Sequence, residues 1–532
     1  VQVTSSSNKP GENTASIMVR GQGTLNNSAP LVIIDGVEGS LSSVQPQDIE
    51  SLSVLKDAAS AAIYGSRAAN GVILITTRTG KQGKVKVEYN GYISWESVGK
   101  TFDLVSNYAD YMELINEGLT NSNLPTTYST NSIDLWRQNE GKDALKYPNT
   151  NLMDAMFETS LSHNHNVSIS GGSDKIRFYT SFGFLDNPGV MENSGYKKSQ
   201  ARINLDMDVA SWLKLGANIN GYVAFTEPGT DKMEDIFTYA AATSPGMVFR
   251  ASDGRFGATN NGEDDPQNAA NNPLYRLYKT DGENQDRYLK ARFYGTLVPL
   301  KGLTLTGSFN YMLRNKTSDS KPVFIEQWNF QNETVTSTGI GKTSFMDSDY
   351  KWNNYLMDVT ATYQNKVSKL DYSIMAGASQ ELFRYKWFKT TKQDLIDPGL
   401  GALDGAVGAA TSSGNMVEWV MRSYFGRIKL NWDNKYLVEA NFRADGSSRF
   451  LKGNRWGYFP SASAAWRISE EPFIKDFAEK IALSNLKLRA SYGMLGNNTL
   501  RAINSDIEGN YDAQALYGAS NYVLNSNVIT GL

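Results

Sequence analysis

Cysteine is missing from all 532 residues, and histidine occurs only twice. Without a thiol there is no disulfide, no Cys-ligated metal or cluster, and no thiol nucleophile. The two histidines, His163 and His165, share a face if they lie on a strand, which makes half a metal site. The rest of a ligand set is not evident, so neither metal nor cofactor is expected. Charge of one sign is also missing: Lys+Arg 52 stand against Asp+Glu 55. Nothing resembles the clustered basic surface that nucleic acid demands, so a nucleic-acid partner is not expected. No run approaches the ~18–20 apolar residues of a membrane-spanning helix. No phosphate-binding loop appears, Gly21-Gln22-Gly23 is too short for a nucleotide fingerprint, and no nucleophile elbow is present. The acidic run Glu263-Asp264-Asp265 reads as a solvated loop rather than a calcium site. No catalytic residue is singled out, and the chain is read as a non-enzyme.

A mean hydropathy of −0.41 looks soluble, yet it does not exclude a membrane. A transmembrane strand shows lipid only alternate residues, and polar lumen positions dilute the signal. Aromatics at 11%, with 28 Tyr and 10 Trp, suit such a wall, and they equally suit sugar binding.

Residues 1–80 read as a small α/β unit. Ser16 to Arg20 and Leu31 to Asp35 are short β-rich runs, and Asp35-Gly36 is a turn signal. Ile49 to Leu55 suits either strand or helix. Asp57 to Tyr64 is Ala-rich and favours helix, with Asp57 or Ser60 as the cap and Gly65 as the stop. Val72 to Thr77 is a β-branched run that suits a buried strand. Residue 1 is Val and the opening already reads as strand, turn and strand, so the chain is expected to begin inside a domain.

From Lys84 onward, about thirteen segments alternate with period two. In the clearest, Leu303, Leu305, Gly307, Phe309, Tyr311 and Leu313 fall on one face, and Thr304, Thr306, Ser308 and Asn310 on the other. A second sets Leu215, Ala217, Ile219, Val223 and Phe225 against Lys214, Asn218 and Asn220. A third sets Ala201, Ile203, Leu205, Met207 and Val209 against Arg202, Asn204, Asp206 and Asp208. That polar face is too charged for a dry core and suits a wet lumen. Short links (171–175, 210–212, 299–302, 367–369, 433–434) alternate with long ones (about 98–162, 187–198, 227–286, 317–351, 384–416). A meander sorted in this way has short turns at one end and long loops at the other, the asymmetry of outer-membrane barrels. Trp212, Trp432 and Tyr436 flank short turns, where an interfacial girdle belongs. Thirteen is an odd count for a closed meander. Either the chain stops before a barrel closes or one strand is miscounted.

Four segments resemble the SusC/RagA branch of TonB-dependent outer-membrane transporters. They are RGQGTLNNSAPLVIIDGV (20–37), the 46–80 segment with AANGVILITT, HNHNVSISGGSDKIRFYTSFGFLDNPGV (163–190), and RADGSSRFLKGNRWGYFPSASAAWRISEEPF (443–473). NLKLRASYGMLGN (485–497) follows closely. The resemblance implies a transmembrane antiparallel β-barrel, here about 13 of 22 strands, with a small α/β plug in its lumen. It implies a plug over residues 1–80, a wall over 81–532, and a place in the outer membrane of a Gram-negative cell. Implied partners are a SusD-like surface lipoprotein as lid, the TonB–ExbB–ExbD complex acting through an N-terminal box, outer-membrane lipid, and an oligosaccharide or peptide substrate. Import of large nutrients, glycans above all, is the implied function. A peptide importer, a surface-binding β-protein without transport, and a secreted glycan-active enzyme are the alternatives. Asp35, Gly36, Asp57, Tyr64, Gly65, Asn70 and Gly71 carry the plug motif. Inward Arg202, Asp206, Asp208, Arg427, Lys429, Glu439, Arg443 and Asp445 are candidate plug contacts, and Trp328, Trp352, Trp387 and Tyr275 are candidate substrate-stacking residues.

Overall fold

The computed structural model describes the chain except residues 6–8, 12–14, 20, 22–27, 57–60, 100–102, 228–232, 259–271, 338–342, 475–480, 482, 499–519, 525–526 and 532. Two opening strands, β1 (Gln2–Ser5) and β2 (Ala15–Met18), pair antiparallel. Next come β3 (Leu31–Ile34), β4 (Val37–Glu38), β5 (Ile49–Leu55) and β6 (Val72–Thr77), in one sheet of order β4-β3-β6-β5. Strand β6 sits between a parallel and an antiparallel neighbour. Its run Val72, Ile73, Ile75 is buried, as a strand covered on both faces requires. The ambiguous 49–55 run is thus a strand, because β6 offers it a ladder. Asp57 and Ser60 lie outside the described residues. The helical run does not stop at Gly65: a 3₁₀ turn continues from Ala62 to Arg67, kinked at Gly65.

Thirteen strands make the wall: β7 (Gly83–Glu96), β8 (Ser160–Gly172), β9 (Ile176–Asn187), β10 (Tyr196–Ala210), β11 (Leu213–Thr226), β13 (Thr280–Leu300), β14 (Leu303–Pro322), β17 (Ser344–Val367), β18 (Leu370–Gln393), β19 (Ala410–Trp432), β20 (Tyr436–Ser447), β21 (Trp456–Arg467) and β22 (Lys487–Gly493). They pair antiparallel, each with the next, in one sheet whose edges are β7 and β22. Three short strands, β12 (Phe256–Gly257), β15 (Gln327–Asn329) and β16 (Thr334–Ser337), form a separate sheet within the long links.

The two faces of the wall differ as the alternation predicts. Phe309 is 36% exposed and faces outward between Phe293 and Met357, while its neighbour Asn310 is 3% exposed on the inner face. On β17 the outer face is apolar from Tyr355 to Tyr363, about 27 Å of strand at ~3.4 Å per residue. A tilted strand of that length matches the apolar band of an outer-membrane barrel. Ring pairs mark its rims: Tyr311 with Tyr355 at one, Tyr363 with Tyr372 at the other. Trp212, Trp432 and Tyr436 are exposed beside the short turns.

The long links are shorter than the sequence suggests. Strands β14 and β17 extend into 317–351 from both ends, and β18 and β19 into 384–416, with unbroken register such as Ser318 to Ser348 and Lys389 to Ser413. Beyond the lipid band both faces are wet, so hydrophobicity no longer alternates although the hydrogen-bond ladder continues. Longer links carry their own cores. Helices Tyr108–Asn121 and Thr130–Asn139, capped by Asn107 and Ser129, bury Tyr108, Met112, Ile133 and Trp136. Met191, Ile236, Met247, Phe249, Leu274 and Leu277 form another core.

Candidate functional site

The inner sheet β3–β6 docks against the wall through polar groups. At one side, Arg292 Nη1 donates to the Asp35 carbonyl at 2.7 Å and Lys290 Nζ to the Glu38 carbonyl at 2.8 Å. Lys198 Nζ donates to the Ser42 carbonyl at 2.6 Å, and Gln200 Nε2 to that of Ser43 at 2.8 Å. Asn204 Nδ2 reaches the Arg78 carbonyl at 2.7 Å and Thr77 Oγ1 at 2.9 Å. Beneath them the Arg202 guanidinium lies 3.4 Å from both Asp35 and Asp48, and Tyr179 donates to Asp48 at 2.8 Å. Arg202 and Asp48 are each only 1% exposed. On the opposite wall, Arg443 Nη1 donates to the Ile63 carbonyl at 2.7 Å, and the Ser66 amide to Asp445 Oδ2 at 2.9 Å. Arg67 bridges Glu38 of its own sheet and Glu381 of the wall. Burial alone would lower the Arg67 pKa; the carboxylates of Glu381, Glu38 and Asp445 outweigh it and hold the guanidinium more firmly charged. Each such hydrogen bond nets only ~0.5–3 kcal/mol, the upper part of that range for those made by charged groups, because water satisfies the same groups once they part. Much of this contact surface is therefore one that can be separated without baring a greasy face.

Of the eight inward residues named from sequence, Arg202, Arg443 and Asp445 touch the inner sheet. The other five bond within the wall. Asp206 accepts from Tyr294, Asp208 pairs with Arg177 and Lys214, and Arg427 and Lys429 pair with Glu439.

Several residues of the sequence motif make local contacts. Asp35 (φ +52°) and Gly36 (φ +88°) form the tight turn between β3 and β4. The Asp35 carboxylate also accepts from the Thr77 amide at 2.9 Å and hydroxyl at 2.8 Å, tying the turn to the end of β6. Tyr64 is half-buried, and that burial pushes its phenol up against a smaller opposing pull from Arg427. Asn70 donates to the Ala29 carbonyl at 3.4 Å, and the Gly71 carbonyl receives the Leu31 amide at 3.0 Å.

Between this sheet and the wall lies a cavity of about 1010 Å³. Its floor includes Tyr64 and Arg67, and its wall carries Tyr288, Arg314, Trp352 and Tyr385. A second cavity, about 560 Å³, opens between short turns, and Tyr372 is the one aromatic residue that lines it. Of the four candidate stacking residues, Trp352 lines the larger cavity. Trp387 stands just behind, stacked on Tyr350 at 6.1 Å. The other two are placed elsewhere. Trp328 packs in a loop cluster with Phe330 under the Arg255 guanidinium, and Tyr275 is buried against Phe256 in a loop core. His163 and His165 do share a face, with rings 5.2 Å apart, and His165 bonds Tyr89. Glu263, Asp264 and Asp265 lie outside the described residues.

The inner sheet and the wall each have known counterparts. The family model described as "TonB-dependent Receptor Plug Domain" matches residues 1–72. The chain is 30% identical over 538 residues to the TonB-dependent receptor SusC of Bacteroides thetaiotaomicron, covering 94% of this chain and 49% of that relative. The TonB-dependent receptor P3 of Formosa agariphila is 28% identical, covering 93% of this chain and 47% of the relative. The chain belongs to the SusC/RagA-like TonB-dependent receptors. In backbone, this receptor chain superposes on the structure of the RagAB peptide transporter with a TM-score of 0.79 at 23% identity, over 100% of this chain and 60% of that one. That likeness is one of fold: a plugged β-barrel of the outer membrane. The receptor chain spans about half the length of the curated relatives it matches. None of these names denotes an enzyme.

Sequence reasoning missed most of the plug contacts of the receptor, among them Tyr179, Lys198, Gln200, Lys290 and Arg292, and the cavity residues Tyr350 and Tyr385. Strand parity held the signal. Once Phe309 is outward, its register partners Phe293 and Met357 are outward too, and the alternate residues of all three strands face the lumen.

Proposed function

We propose that this chain is the plug-bearing part of an importer that carries large nutrients, most of all oligosaccharides, across the outer membrane. The observation that carries the reading is the cavity bounded by plug and wall together. Cargo held there touches the element that must move, and that element is held through hydrogen bonds at many points. Aromatic faces beside polar groups suit pyranose rings, whose C–H faces are apolar and whose rims are hydroxylated. A SusD-like lipoprotein would cover the long-link end, and TonB–ExbB–ExbD would draw the plug from the short-turn side. Peptide cargo is the second reading, since the same aromatic faces accept apolar side chains. The test is uptake of labelled oligosaccharides and peptides by cells with and without the gene. Loss of oligosaccharide uptake on deletion, and on collapse of the proton-motive force, supports import. Uptake that survives deletion, with surface binding lost, would make the protein a binder alone.

A further inference from the structure

Toward the long-link end, the wall presents a row of side chains that the import reading does not by itself explain. Tyr288, Arg314, Trp352 and Tyr385, on β13, β14, β17 and β18, are successive cross-strand partners, and all four line the cavity. Adjacent strands lie ~4.8 Å apart, so the row is a strip about 14 Å long running around the wall. Its members stack. The Arg314 guanidinium lies 5.2 Å from the Trp352 ring centre, and the Trp352 and Tyr385 rings are 5.0 Å apart. The charge of Arg314 is already met by Asp286 at 2.6 Å.

One register step outward, Lys316 partners Tyr350; a further step on, Lys389 partners Ser348. Both lysines are exposed and both line the same cavity. Among the described residues neither has a carboxylate within ion-pair reach. The carboxylates that line the cavity are Glu38, Asp358 and Glu381, and each has a partner: Arg67 for the two glutamates, Ser308 for Asp358. Asp286, the register partner of Lys316, is engaged with Arg314, so the outer half of the cavity is aromatic and carries two lysines outside any ion pair.

We propose that this strip with Lys316 and Lys389 is a subsite for an acidic oligosaccharide, one whose pyranose rings carry carboxylate or sulfate groups. The apolar ring faces cover the aromatic strip, and the acid groups meet the two unpaired ammonium groups. In a wet lumen such pairs are weak and screened by salt, so they set preference more than affinity. The inference rests on the glycan reading above. Its test compares a short oligouronide with its carboxyl-reduced neutral counterpart, by calorimetry on the complete receptor at low and physiological salt. The oligouronide is expected to bind more tightly, with a preference that shrinks as salt rises. The double variant Lys316→Gln, Lys389→Gln is expected to weaken oligouronide binding about three- to ten-fold and to leave the neutral oligomer unchanged. Trp352→Ala is expected to weaken both. Equal affinity for the two oligomers overturns the acidic subsite and leaves glycan import standing, as does a preference that the lysine variant does not touch. Binding of a peptide but of neither oligomer overturns the glycan reading itself.

Discussion

Gly65 shows how one residue ties the plug to the wall. Its backbone, φ +60° and ψ −127°, lies where side chains are rarely tolerated, and a Cβ there would collide with Arg443 and Asp445. Gly65→Ala should therefore cost about 1–3 kcal/mol in backbone strain, before the displaced Asp445 loses the Ser66 amide. The expected outcome is less folded receptor in the membrane and a lower unfolding temperature, with cargo preference unchanged. A shift in cargo preference at normal abundance would contradict this. Arg202 is the second such residue. Removing it leaves Asp35 and Asp48 without their cation in a site that water barely reaches, a loss of about 3–5 kcal/mol. Arg202→Met is expected to expose the plug to protease, and adding Asp35→Asn and Asp48→Asn should restore much of the protection. Protection equal to that of the unaltered protein would show that the pairing does not hold the plug.

The strands are readable only where a lipid face opposes a water face. Labels at Leu305 and Phe309 are expected to report lipid, and labels at Thr306 and Asn310 water; Leu313, level with Asn353, lies just beyond the ring-pair rim. On β17 the boundary should appear within one strand: Met357 and Val359 in lipid, Lys351 and Asn353 in water on the same outer face. Spin-label accessibility to oxygen against a polar relaxant measures this, and uniform values along β17 would mean that the apolar band has been misplaced. The same physics explains why Ser344 to Lys351 reads as a loop. Its hydrogen bonds to β14 and β18 persist, but both its faces are wet, and period-two patterning fades with the contrast that produces it. The loop cores were hidden for a related reason. Tyr275 has the composition of a sugar platform, and its burial under Phe256 depends on contacts between distant links.

At the scale of the whole molecule, the proposed import requires the plug to part from the wall. These 532 residues hold no cysteine, so an introduced pair meets no competing thiol within them. Ser43→Cys with Asn220→Cys, joined by a short cleavable thiol linker where Asn220 now meets the Ser43 carbonyl, is expected to stop uptake. Cleaving the linker should restore it. Uptake through a linked plug would mean that cargo passes without release of this contact. The alternation of faces, the sorting of short and long links and the plug's β-branched runs lie in the sequence by itself, because lipid, lumen and core each select side chains one position at a time. That much determined a thirteen-strand wall and a plugged outer-membrane receptor. Which polar residue meets which could not be read there. Arg202 and Asp206 share a parity and a strand, yet one meets the plug and the other Tyr294. Only the register of the strands, and the depth at which the plug lodges among them, decided those partners, because a lumenal side chain pairs with whatever the tertiary structure brings within a few ångströms.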